Sequence, residues 1–471
     1  MKHEEIIKKS SFGEYNGVKI LQVKGKPYEL GYQHGYHLAG KISLMINNTL
    51  LATAGYISEQ TGWDLDLSDR MMWKGMQLAE PNFPDFLREE MRGIVDGTQV
   101  AGAEISLEQI MLWNTNYDQW CIYSHPHHWT PEDAPPSKNA GSMLPAGGGC
   151  SSFCAWGEWA GGDGKLIFGK DEDNFNMPEQ LENRMLVVAD PDDGLGHCFL
   201  TYPGMVGLDG GFNEYGFEVM TQLNSMRYET MAGCGIAVFT RLLLTYAKRV
   251  GDAIDVFNKY PRCAGIAYHV ADSRNKKAAV VETSSENVCV RYPEEGIKAL
   301  WQSNHSNCYP GWMGYSGYNM VNDQKPVNEL IDVSTIETWQ NSLRDPKNLY
   351  VQAPSRFERY RELISQYKGS INLGNAQKIL TDLYDPYTRK ERQKWESSVS
   401  NNILCTICAL YPNMDFTAKP PVGEFEAHIA NMWSLVAYPE AGDFWLAIND
   451  FPAQYGGYEY FNLNSLLDRL R

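Results

Sequence analysis

A cysteine marks the junction between a glycine run and an apolar segment in the stretch Gly147-Gly148-Gly149-Cys150-Ser151-Ser152-Phe153. Glycine imposes almost no steric restriction on the backbone, so the Cys150 thiol can approach the peptide bond that precedes it. A thiol has a pKa near ~8.5 and a free α-amine one near ~7.7–8.0, both close to neutral pH. We therefore predict cleavage between Gly149 and Cys150, which leaves Cys150 as a thiol nucleophile with its own α-amine as base.

The same stretch has a simpler interpretation, in which a glycine loop enters a core strand and Cys150 is a small buried hydrophobe. A short motif alone is weak support for catalysis. Four later segments favour the catalytic interpretation. They are Phe168-Gly169-Lys170-Asp171-Glu172-Asp173-Asn174, Gly211-Phe212-Asn213-Glu214-Tyr215-Gly216, Gln302-Ser303-Asn304-His305 and Pro354-Ser355-Arg356-Phe357-Glu358-Arg359.

Several side chains in these segments suit amide chemistry. Asp173 can orient a freed ammonium group, and Asn213 or Asn304 can donate to an oxyanion, which is worth roughly 3–4 kcal/mol per donor. Lys170 would face the Cys150 thiol and lower the thiol pKa. The simpler alternatives are a surface charge cluster for Lys170 and Asp173, and a turn residue before Gly216 for Asn213.

Arg356 lies between Ser355 and Glu358, which have the spacing of a helix capping box. This spacing predicts that Arg356 falls in the first turn of a helix. A cation there opposes the helix dipole, so a purely stabilising role is less natural for it. We expect Arg356 to face the same volume as Lys170 and Cys150, and to act with Lys170 in lowering the thiol pKa.

Taken in order, these segments resemble the isopenicillin N acyltransferase-like branch of the Ntn hydrolases. They are also similar to the related choloylglycine hydrolases and penicillin V acylases. The cysteine-led hairpin followed by Gly-basic-x-x-Asp resembles both groups, and both share the Asn-Glu-x-Gly turn. The Ser-Asn-His segment resembles the acyltransferase branch, and Ser-Arg-Phe resembles the hydrolase branch. With the upstream Gly-x-x-His-Gly and Ser-Leu-Glu segments, the resemblance covers nearly the whole chain.

The resemblance implies an α+β fold, an αββα sandwich with the nucleophile at a strand start. It implies a zymogen that cleaves itself into an α chain of residues 1–149 and a β chain of residues 150–471. It also implies an amidase or acyltransferase acting on linear amides, with no cofactor and no metal. The residues that correspond to the family's functional positions are Cys150 as nucleophile, Lys170, Asp173, the oxyanion candidates Asn213 and Asn304, and Arg356.

The sequence departs from the family pattern at two positions. The basic residue is usually arginine, and Lys170 cannot make the planar two-pronged contact of a guanidinium group. The next residue is usually asparagine, and here it is Asp171. Whether Asp171 or Asp173 faces the amine therefore stays open. Cys154 is a second thiol on the strand face of Cys150, and it is expected to serve packing.

The elements that must position these residues divide the chain into three parts. Residues 1–120 are predicted to be a helical lobe, with Ser68 capping one helix and Ser106-Leu107-Glu108-Gln109 opening another. Small residues around Gly31 and Gly35 would let another element approach closely. Residues 121–149, rich in proline, are a predicted flexible linker ending at the scissile bond. Residues 150–471 alternate strands and helices, including a predicted strand from Ile403 to Leu410.

Composition excludes several classes of partner. The formal net charge is −17, which argues against nucleic acid and anionic membrane surfaces. No apolar run approaches the ~20 residues of a membrane span, and the N-terminus leads into no apolar signal region. We expect a cytoplasmic protein, or a secreted or periplasmic one whose signal peptide has been removed. A metal site at His125, His127 and His128 is a distant alternative, because no further ligand completes it.

Two other functions remain open from sequence. An Ntn dipeptidase would use the same N-terminal cysteine, and a member of the fold that only binds ligands would never free Cys150. The expected partners are a small N-acyl amide substrate and the protein's own cleaved α chain, and a homo-oligomer is left open. Residue identities do not name the substrate, and they do not decide between hydrolysis and acyl transfer.

Overall fold

A computed structural model describes residues 3–123, 150–175, 178–224, 229–307, 352–385, 390–391, 404–405, 409–410 and 429–471. Gly149, and with it the predicted scissile bond, lies outside these residues. Residues 124–148 of the predicted linker lie outside them too, and so do His125, His127 and His128.

Long helices dominate the described residues before Cys150, where apolar side chains recur at spacings of three and four. Shorter helices follow among the later strands. The helices are α1 His3–Ile7, α2 Pro27–Thr61, α3 Leu65–Ala79, α4 Asp85–Val100, α5 Leu107–Tyr123, α6 Pro178–Asn183, α7 Ile236–Tyr246, α8 Val250–Lys259, α9 Gln352–Gln366, α10 Leu373–Leu380 and α11 Leu463–Asp468.

The larger of two main sheets has nine strands in the order β1-β2-β5-β6-β7-β8-β9-β10-β11. Its neighbours are antiparallel except β2 and β5, which are parallel. Its strands are β1 Ser11–Tyr15, β2 Val18–Gly25, β5 Met185–Pro191, β6 His197–Thr201, β7 Gly210–Asn213, β8 Phe217–Leu223, β9 Ile266–Asp272, β10 Lys277–Thr283 and β11 Val288–Arg291.

The second main sheet has six antiparallel strands in the order β12-β3-β4-β17-β18-β19. Its strands are β3 Ser151–Ala155, β4 Ile167–Phe175, β12 Ala299–Gln302, β17 Ile429–Tyr438, β18 Asp443–Ala447 and β19 Glu459–Asn462. Four short strands pair outside the main sheets, namely β13 Tyr384–Asp385 with β14 Lys390–Glu391 and β15 Leu404–Cys405 with β16 Ala409–Leu410.

The two main sheets stack face to face between outer helices. Phe212 of β7 and Phe444 of β18 meet with ring centroids 5.4 Å apart, which joins the inner faces of the sheets. Helix α9 packs on the outer face of the six-stranded sheet, where Tyr360 lies against Phe153. Helix α7 packs on the outer face of the nine-stranded sheet. This layering confirms the predicted α+β class and αββα sandwich.

The part of the chain before Cys150 is not wholly helical, which corrects the prediction for residues 1–120. Strands β1 and β2 form an antiparallel pair, and β2 runs parallel to β5 from beyond Cys150. Most residues of Val18–Gly25 are buried, and buried residues do not alternate regularly with exposed ones. The alternation that predicts a strand from sequence is therefore weak in this segment. These strands make the N-terminal region part of the nine-stranded sheet.

Helices α2 and α4 pack closely through glycines on both sides, as the small residues predicted. A Cβ atom at Gly35 of α2 would lie 2.1 Å from the carbonyl oxygen of Ile94 in α4. A Cβ atom at Gly93 of α4 would lie 2.1 Å from the carbonyl oxygen of Tyr28 in α2. Any larger residue at either position would push the two helices apart.

The two predicted helix starts have different outcomes. Ser106 confirms its capping box, because Gln109 N donates to Ser106 Oγ at 3.2 Å and Ser106 N donates to Gln109 Oε1 at 2.9 Å. Ser68 was the wrong cap for α3. Asp64 holds that position, since its Oδ1 accepts from Leu67 N at 2.7 Å, and Ser68 lies one turn inside the helix.

The predicted strand from Ile403 to Leu410 is also corrected. Leu404 pairs with Leu410 and Cys405 pairs with Ala409 in an antiparallel register. The described residues of this apolar run therefore form two short paired strands and not one continuous strand.

Candidate active site

Cys150 is 2% exposed and lies immediately before strand β3. Side chains alternate along a strand, so Cys150, Ser152 and Cys154 share one face of β3. Ser152 Oγ lies 2.8 Å from His269 Nδ1 and accepts from Gln222 Nε2 at 2.7 Å, both from the nine-stranded sheet. The face that carries the Cys150 thiol is therefore turned to the interior between the sheets.

Lys170 and Glu172 occupy the inner face of β4, beside Cys150. Lys170 pairs in register with Ser152, and its Nζ donates to the carbonyl oxygen of Thr221 in β8 at 2.6 Å. Lys170 Nζ also lies 2.8 Å from Glu172 Oε2, with the two side chains 0% and 1% exposed. The alternative interpretation of Lys170 as part of a surface charge cluster is thus excluded, because these charges are fully buried.

Asp209 and Trp433 complete the surroundings of this ion pair. Trp433 Nε1 donates to Asp209 Oδ2 at 3.2 Å, and Lys170 Nζ lies 5.7 Å from the centroid of the Trp433 ring. Burial, and then the Glu172 charge, raise the pKa of Asp209 well above its usual range. Asp209 therefore favours its neutral form, which leaves Glu172 as the carboxylate that pairs with Lys170.

Lys170 and Glu172 both have pKa values above their ordinary values. Burial by itself lowers the pKa of Lys170, but the neighbouring Cys150, Glu172 and Asp209 raise this pKa above its ordinary value. Burial raises the pKa of Glu172, and the nearby Lys170 charge opposes that rise. Lys170 is accordingly a cation at neutral pH.

The thiol of Cys150 responds to the same cluster. Burial, followed by the Glu172 charge, raises the pKa of Cys150 well above its ordinary value, and Lys170 acts in the opposite direction. Lys170 thus acts on the thiol pKa in the expected direction, but burial and the carboxylates outweigh the cation.

The structure favours Asp173 over Asp171 as the aspartate that acts on Cys150. Asp173 is among the charges that raise the thiol pKa, and Cys150 Sγ lies 3.8 Å from the backbone oxygen of Asp173. Asn431 Nδ2 donates to Asp173 Oδ1 at 3.0 Å. Asp171 pairs in register with Ser151, whose Oγ lies 2.9 Å from the Tyr360 hydroxyl of α9.

Arg356 is fully buried and contacts the backbone of Cys150. Its Nη1 donates to the carbonyl oxygen of Cys150 at 3.1 Å, and its Nη2 donates to Asn304 Oδ1 at 2.9 Å. Asn304 Nδ2 donates in turn to the carbonyl oxygen of Leu223 at 2.9 Å. The structure thus brings Arg356 and Asn304 together with Cys150, as the sequence predicted.

The predicted place of Arg356 in its helix was wrong. Helix α9 begins at Gln352, so Arg356 falls in its second turn. The Ser355 and Glu358 spacing fits a capping box but does not mark this helix start. The helix dipole therefore opposes the guanidinium less at this position, and the contacts of Arg356 are what connect it to Cys150.

Asn213 does not belong to this cluster, so its predicted role as an oxyanion donor is corrected. Its Nδ2 donates to the carbonyl oxygens of Leu244 and Ala247 at 3.0 and 2.8 Å. Its Oδ1 accepts from the backbone nitrogens of Tyr215 and Phe217, both at 3.1 Å. Both amide hydrogens are already used, so Asn213 is the turn residue of the simpler interpretation and not an oxyanion donor.

Sequence reasoning missed three residues that the structure places in or beside the cluster. Glu172 shares a strand face with Lys170 at a spacing of two, a signal that the sequence did contain. Asn224 follows Gln222 at the same spacing and is fully buried, and neither of its amide atoms has a hydrogen-bond partner among the described residues. Asp209 carries no motif that would have identified it.

Asn224 lies at the end of β8 that reaches the cluster. The carbonyl of the preceding Leu223 is bound by Asn304, which Arg356 connects to Cys150. Gln222 shares the strand face of Asn224 and donates to Ser152 on the inner face of β3. An amide with unused donors directed into this interior is suited to a ligand oxygen.

A family model matches more than half of the chain. Residues 159–427 match the model described as acyl-coenzyme A:6-aminopenicillanic acid acyl-transferase. The chain belongs to the acyl-coenzyme A:6-aminopenicillanic acid acyl-transferase family. Lys170, Glu172, Asn304 and Arg356 lie inside the matched range, and Cys150 lies just before it. The family membership confirms the resemblance that the motifs indicated.

A curated relative of this family member comes from Archaeoglobus fulgidus and bears the description of an uncharacterized protein. It is 26% identical over 384 residues, which cover 79% of this chain and 59% of the relative. The chain thus spans little more than half of that relative's length.

Solved structures give weaker likenesses to this family member. A variant of conjugated bile acid hydrolase from Clostridium perfringens is 14% identical, with a TM-score of 0.39, over 67% of this chain and 93% of that one. Penicillin V acylase from Agrobacterium tumefaciens is 12% identical, with a TM-score of 0.36, over 67% and 86%. The αββα assignment rests on the strand order and the layers themselves.

Cys154, the second thiol on the inner face of β3, contacts a histidine from the other sheet. Cys154 Sγ lies 3.3 Å from His269 Nε2, and His269 Nδ1 faces Ser152. Burial lowers the pKa of His269 well below its ordinary value, so the ring is neutral. Both ring nitrogens of His269 are therefore engaged away from Cys150.

The described residues contain neither a membrane-spanning helix nor a metal-ligand cluster. None of the described helices is both long and apolar enough to cross a bilayer. In the described ranges, His, Cys, Asp and Glu side chains do not gather in threes in an arrangement that could hold a metal ion.

Proposed function

We propose that this chain is a self-processing amidohydrolase or acyltransferase that acts on linear N-acyl amides through an acyl-thioester on Cys150. The observation that carries the proposal is the position of Cys150. It is a buried cysteine at a strand start, contacted through its carbonyl oxygen by Arg356 and faced by the Lys170–Glu172 pair. The family of the chain, named for an acyl-transferase, supports the same reaction class.

In the uncleaved chain, the Cys150 thiol attacks the carbonyl carbon of Gly149. The carbon–nitrogen bond breaks, the nitrogen of Cys150 becomes an α-amine, and the acyl group passes to sulfur as a thioester. Water then hydrolyses the thioester, which frees the thiol and leaves a carboxylate on Gly149. The products are residues 1–149 and a chain that begins with Cys150.

In turnover, the freed α-amine takes the thiol proton and the sulfur attacks the substrate amide. The leaving amine receives that proton, and the acyl group stays on Cys150 as a thioester. Attack by water completes hydrolysis, and attack by a second amine completes acyl transfer. The same residues serve both outcomes, so what decides between them is which nucleophile reaches the thioester.

Asn224 and Asn304 are the proposed donors to the tetrahedral oxyanion. The Nδ2 group of Asn304 has two hydrogens and donates one to Leu223, and that of Asn224 meets no acceptor among the described residues. A donor of this kind contributes about 3–4 kcal/mol to the transition state. Asp173 is the proposed partner of the freed α-amine, and Arg356 fixes the Cys150 backbone and the Asn304 side chain.

The cleaved N-terminal chain is a proposed permanent partner. Strand β2 lies within the nine-stranded sheet, beside β5 from the other side of the cleavage bond. Asp118 of α5 accepts from Ile236 N at the start of α7 at 3.0 Å. Removing these contacts would expose a sheet edge and buried polar groups, so both chains should stay together after cleavage.

Denaturing electrophoresis and intact mass test the proposal. By residue share of the 53.3 kDa chain, the products should be about 17 and 36 kDa, and the larger should begin Cys-Ser-Ser-Phe. Cys150→Ala should remain uncut and inactive, whereas Cys154→Ala should cleave and keep most activity. A single uncut chain that hydrolyses N-acyl amides would refute the N-terminal cysteine mechanism, and an uncut, inactive chain would favour a binding function.

A panel of substrates separates the proposal from the dipeptidase alternative. N-acyl amides with apolar acyl groups and dipeptides with a free amine should be compared as kcat/KM with the mature protein. We expect the N-acyl amides to be preferred, because Lys170 offsets the charge of Glu172 and Asp173 is assigned to the freed α-amine of Cys150, so neither carboxylate is left for a peptide amine. A preference for dipeptides would reverse this assignment.

A further inference from the structure

We propose that Glu172 takes the proton from the Cys150 thiol in the uncleaved chain. This inference rests on the proposed function, since it concerns the first step of self-cleavage. Before cleavage the nitrogen of Cys150 belongs to a peptide bond, which is not basic. The base that serves the mature enzyme does not yet exist, so a side chain must take its place.

The strand register brings Glu172 to the thiol. Ser151 pairs with Asp171 and Ser152 pairs with Lys170 in antiparallel register, so Cys150 stands opposite Glu172. Directly opposed residues on one face have Cβ atoms about 4.5–5.5 Å apart, which lets a glutamate reach a thiol. The Glu172 carboxylate interacts directly with the Cys150 side chain.

Lys170 holds Glu172 in place, and the Glu172 carboxylate can still accept a proton. Lys170 Nζ lies 2.8 Å from Glu172 Oε2, and Thr221 O accepts from the same Nζ at 2.6 Å. Lys170 engages Oε2 of Glu172, whereas Oε1 has no hydrogen-bond partner of ordinary geometry among the described residues. The carboxylate is therefore fixed in position and still able to bind a proton.

The other titratable groups near the thiol are unsuited to this role. Lys170 is protonated, because its surroundings raise its pKa. Asp209 favours its neutral form, and Asp173 Oδ1 already accepts from Asn431. Among the described residues, the other titratable side chains that interact with the thiol include the phenols of Tyr117 and Tyr202 and the thiol of Cys121, whose pKa values burial raises well above the ordinary range.

The step balances within the residues named. The thiol proton moves to Glu172, and the thiolate attacks the carbonyl carbon of the preceding peptide. When the carbon–nitrogen bond breaks, Glu172 returns the proton to the departing nitrogen, which becomes the α-amine. Burial raises the pKa of Glu172 and that of Cys150 alike, so the carboxylate is a stronger base than an exposed glutamate.

The test compares self-cleavage rates of Glu172→Gln and Glu172→Asp with wild type, by pulse-chase synthesis of the full chain and denaturing electrophoresis. A positioned base contributes about 100- to 10,000-fold, so we expect Glu172→Gln to cleave at least about 100-fold more slowly. Glu172→Asp keeps a carboxylate and should recover most of that loss. Glu218→Gln is the matched control, because Glu218 on β8 is as buried as Glu172. This variant should cleave itself at the wild-type rate.

The pH dependence gives a readout that loss of packing would not move. A base must be ionised, so wild-type cleavage should slow as pH falls through the raised pKa of Glu172. In Glu172→Gln this acidic limb should be absent, and the residual rate should rise only with thiol ionisation at high pH. Equal slowing in the Asp and Gln variants, or an unchanged acidic limb in Glu172→Gln, would overturn the inference.

The outcomes also separate this inference from the proposed function. If wild type cleaves, Cys150→Ala does not, and Glu172→Gln cleaves within about threefold of wild type, then Glu172 has no such role while the proposed function stands. If wild type itself yields one chain, both fail. If only Glu172→Gln and Cys150→Ala stay intact while Glu172→Asp and Glu218→Gln cleave, both are supported.

Discussion

Glu90 and Arg241 form a two-pronged ion pair across the two sides of the proposed cleavage bond. Arg241 Nη1 and Nη2 donate to Glu90 Oε1 and Oε2, each at 2.8 Å, and both residues are buried. Glu90 lies in α4 and Arg241 in α7. The helices of the N-terminal chain are thereby fixed to the layer that covers the nine-stranded sheet.

Breaking this pair should destabilise the protein strongly. Removing one member leaves an uncompensated buried charge, so Glu90→Gln should lower the free energy of unfolding by about 3–5 kcal/mol. Urea titration of the mature protein checks this. Glu80→Gln is the control, because its pair with Arg88 is partly exposed and should be worth under about 1 kcal/mol. Similar losses in both variants would contradict the prediction.

Removing Lys170 should change the pH dependence of turnover. Lys170 lowers the thiol pKa of Cys150, so Lys170→Met should raise that pKa and move the acidic limb of kcat/KM to higher pH. A thiol pKa that is higher by one corresponds to about 1.36 kcal/mol. The measurement needs fully cleaved enzyme, and Lys165→Met serves as an exposed control. Identical profiles for Lys170→Met and wild type would remove Lys170 from the site.

Arg356→Lys should lower activity although it keeps the charge. A lysine cannot bind the Cys150 carbonyl and Asn304 at once with a planar fork, so we expect kcat/KM to fall at least about tenfold. Arg359→Lys is the matched control on the same helix, where the guanidinium pairs with Asp382 instead. Full activity in Arg356→Lys would show that only its charge matters.

Alanine substitutions at Asn224 and Asn213 should affect different properties, namely kcat for Asn224 and thermal stability for Asn213. Asn224→Ala should lower kcat by about 100- to 1000-fold while the melting temperature changes little, since its amide is a proposed oxyanion donor. Asn213→Ala removes four hydrogen bonds to backbone groups and should lower thermal stability. Loss of kcat in a stable Asn213→Ala protein would restore the assignment made from sequence.

Asp118 should make stability fall as pH rises from acid to neutral. Burial is the main cause that raises its pKa from 3.8 to about 7, so the folded state binds a proton that the unfolded state releases. Stability from this group is present below pH about 4 and is lost as pH rises to about 7, by up to about 4 kcal/mol. Asp118→Asn should flatten this slope in urea titrations at several pH values. An unchanged slope would show that Asp118 is ionised in the folded protein.

Local patterns in the sequence were enough to locate the proposed nucleophile and to predict much of the architecture. The glycine run before Cys150 and the apolar segment after it place a thiol at a strand start, and both are local features. The Ser106 capping box and the glycines of α2 are local in the same sense, because backbone chemistry within a few residues decides them. The order of the motifs was enough to indicate the family.

Which polar residues surround Cys150 depends on contacts between the two main sheets. Strand alternation puts Lys170 and Glu172 on one face, but the second sheet decides that this face is buried, and Thr221 of that sheet binds Lys170. Asn213 and Asn224 look alike in sequence. The carbonyls of Leu244 and Ala247 consume the donors of Asn213, whereas Asn224 meets no described acceptor. Such differences depend on contacts between residues far apart in the chain, and local propensity carries no information about them.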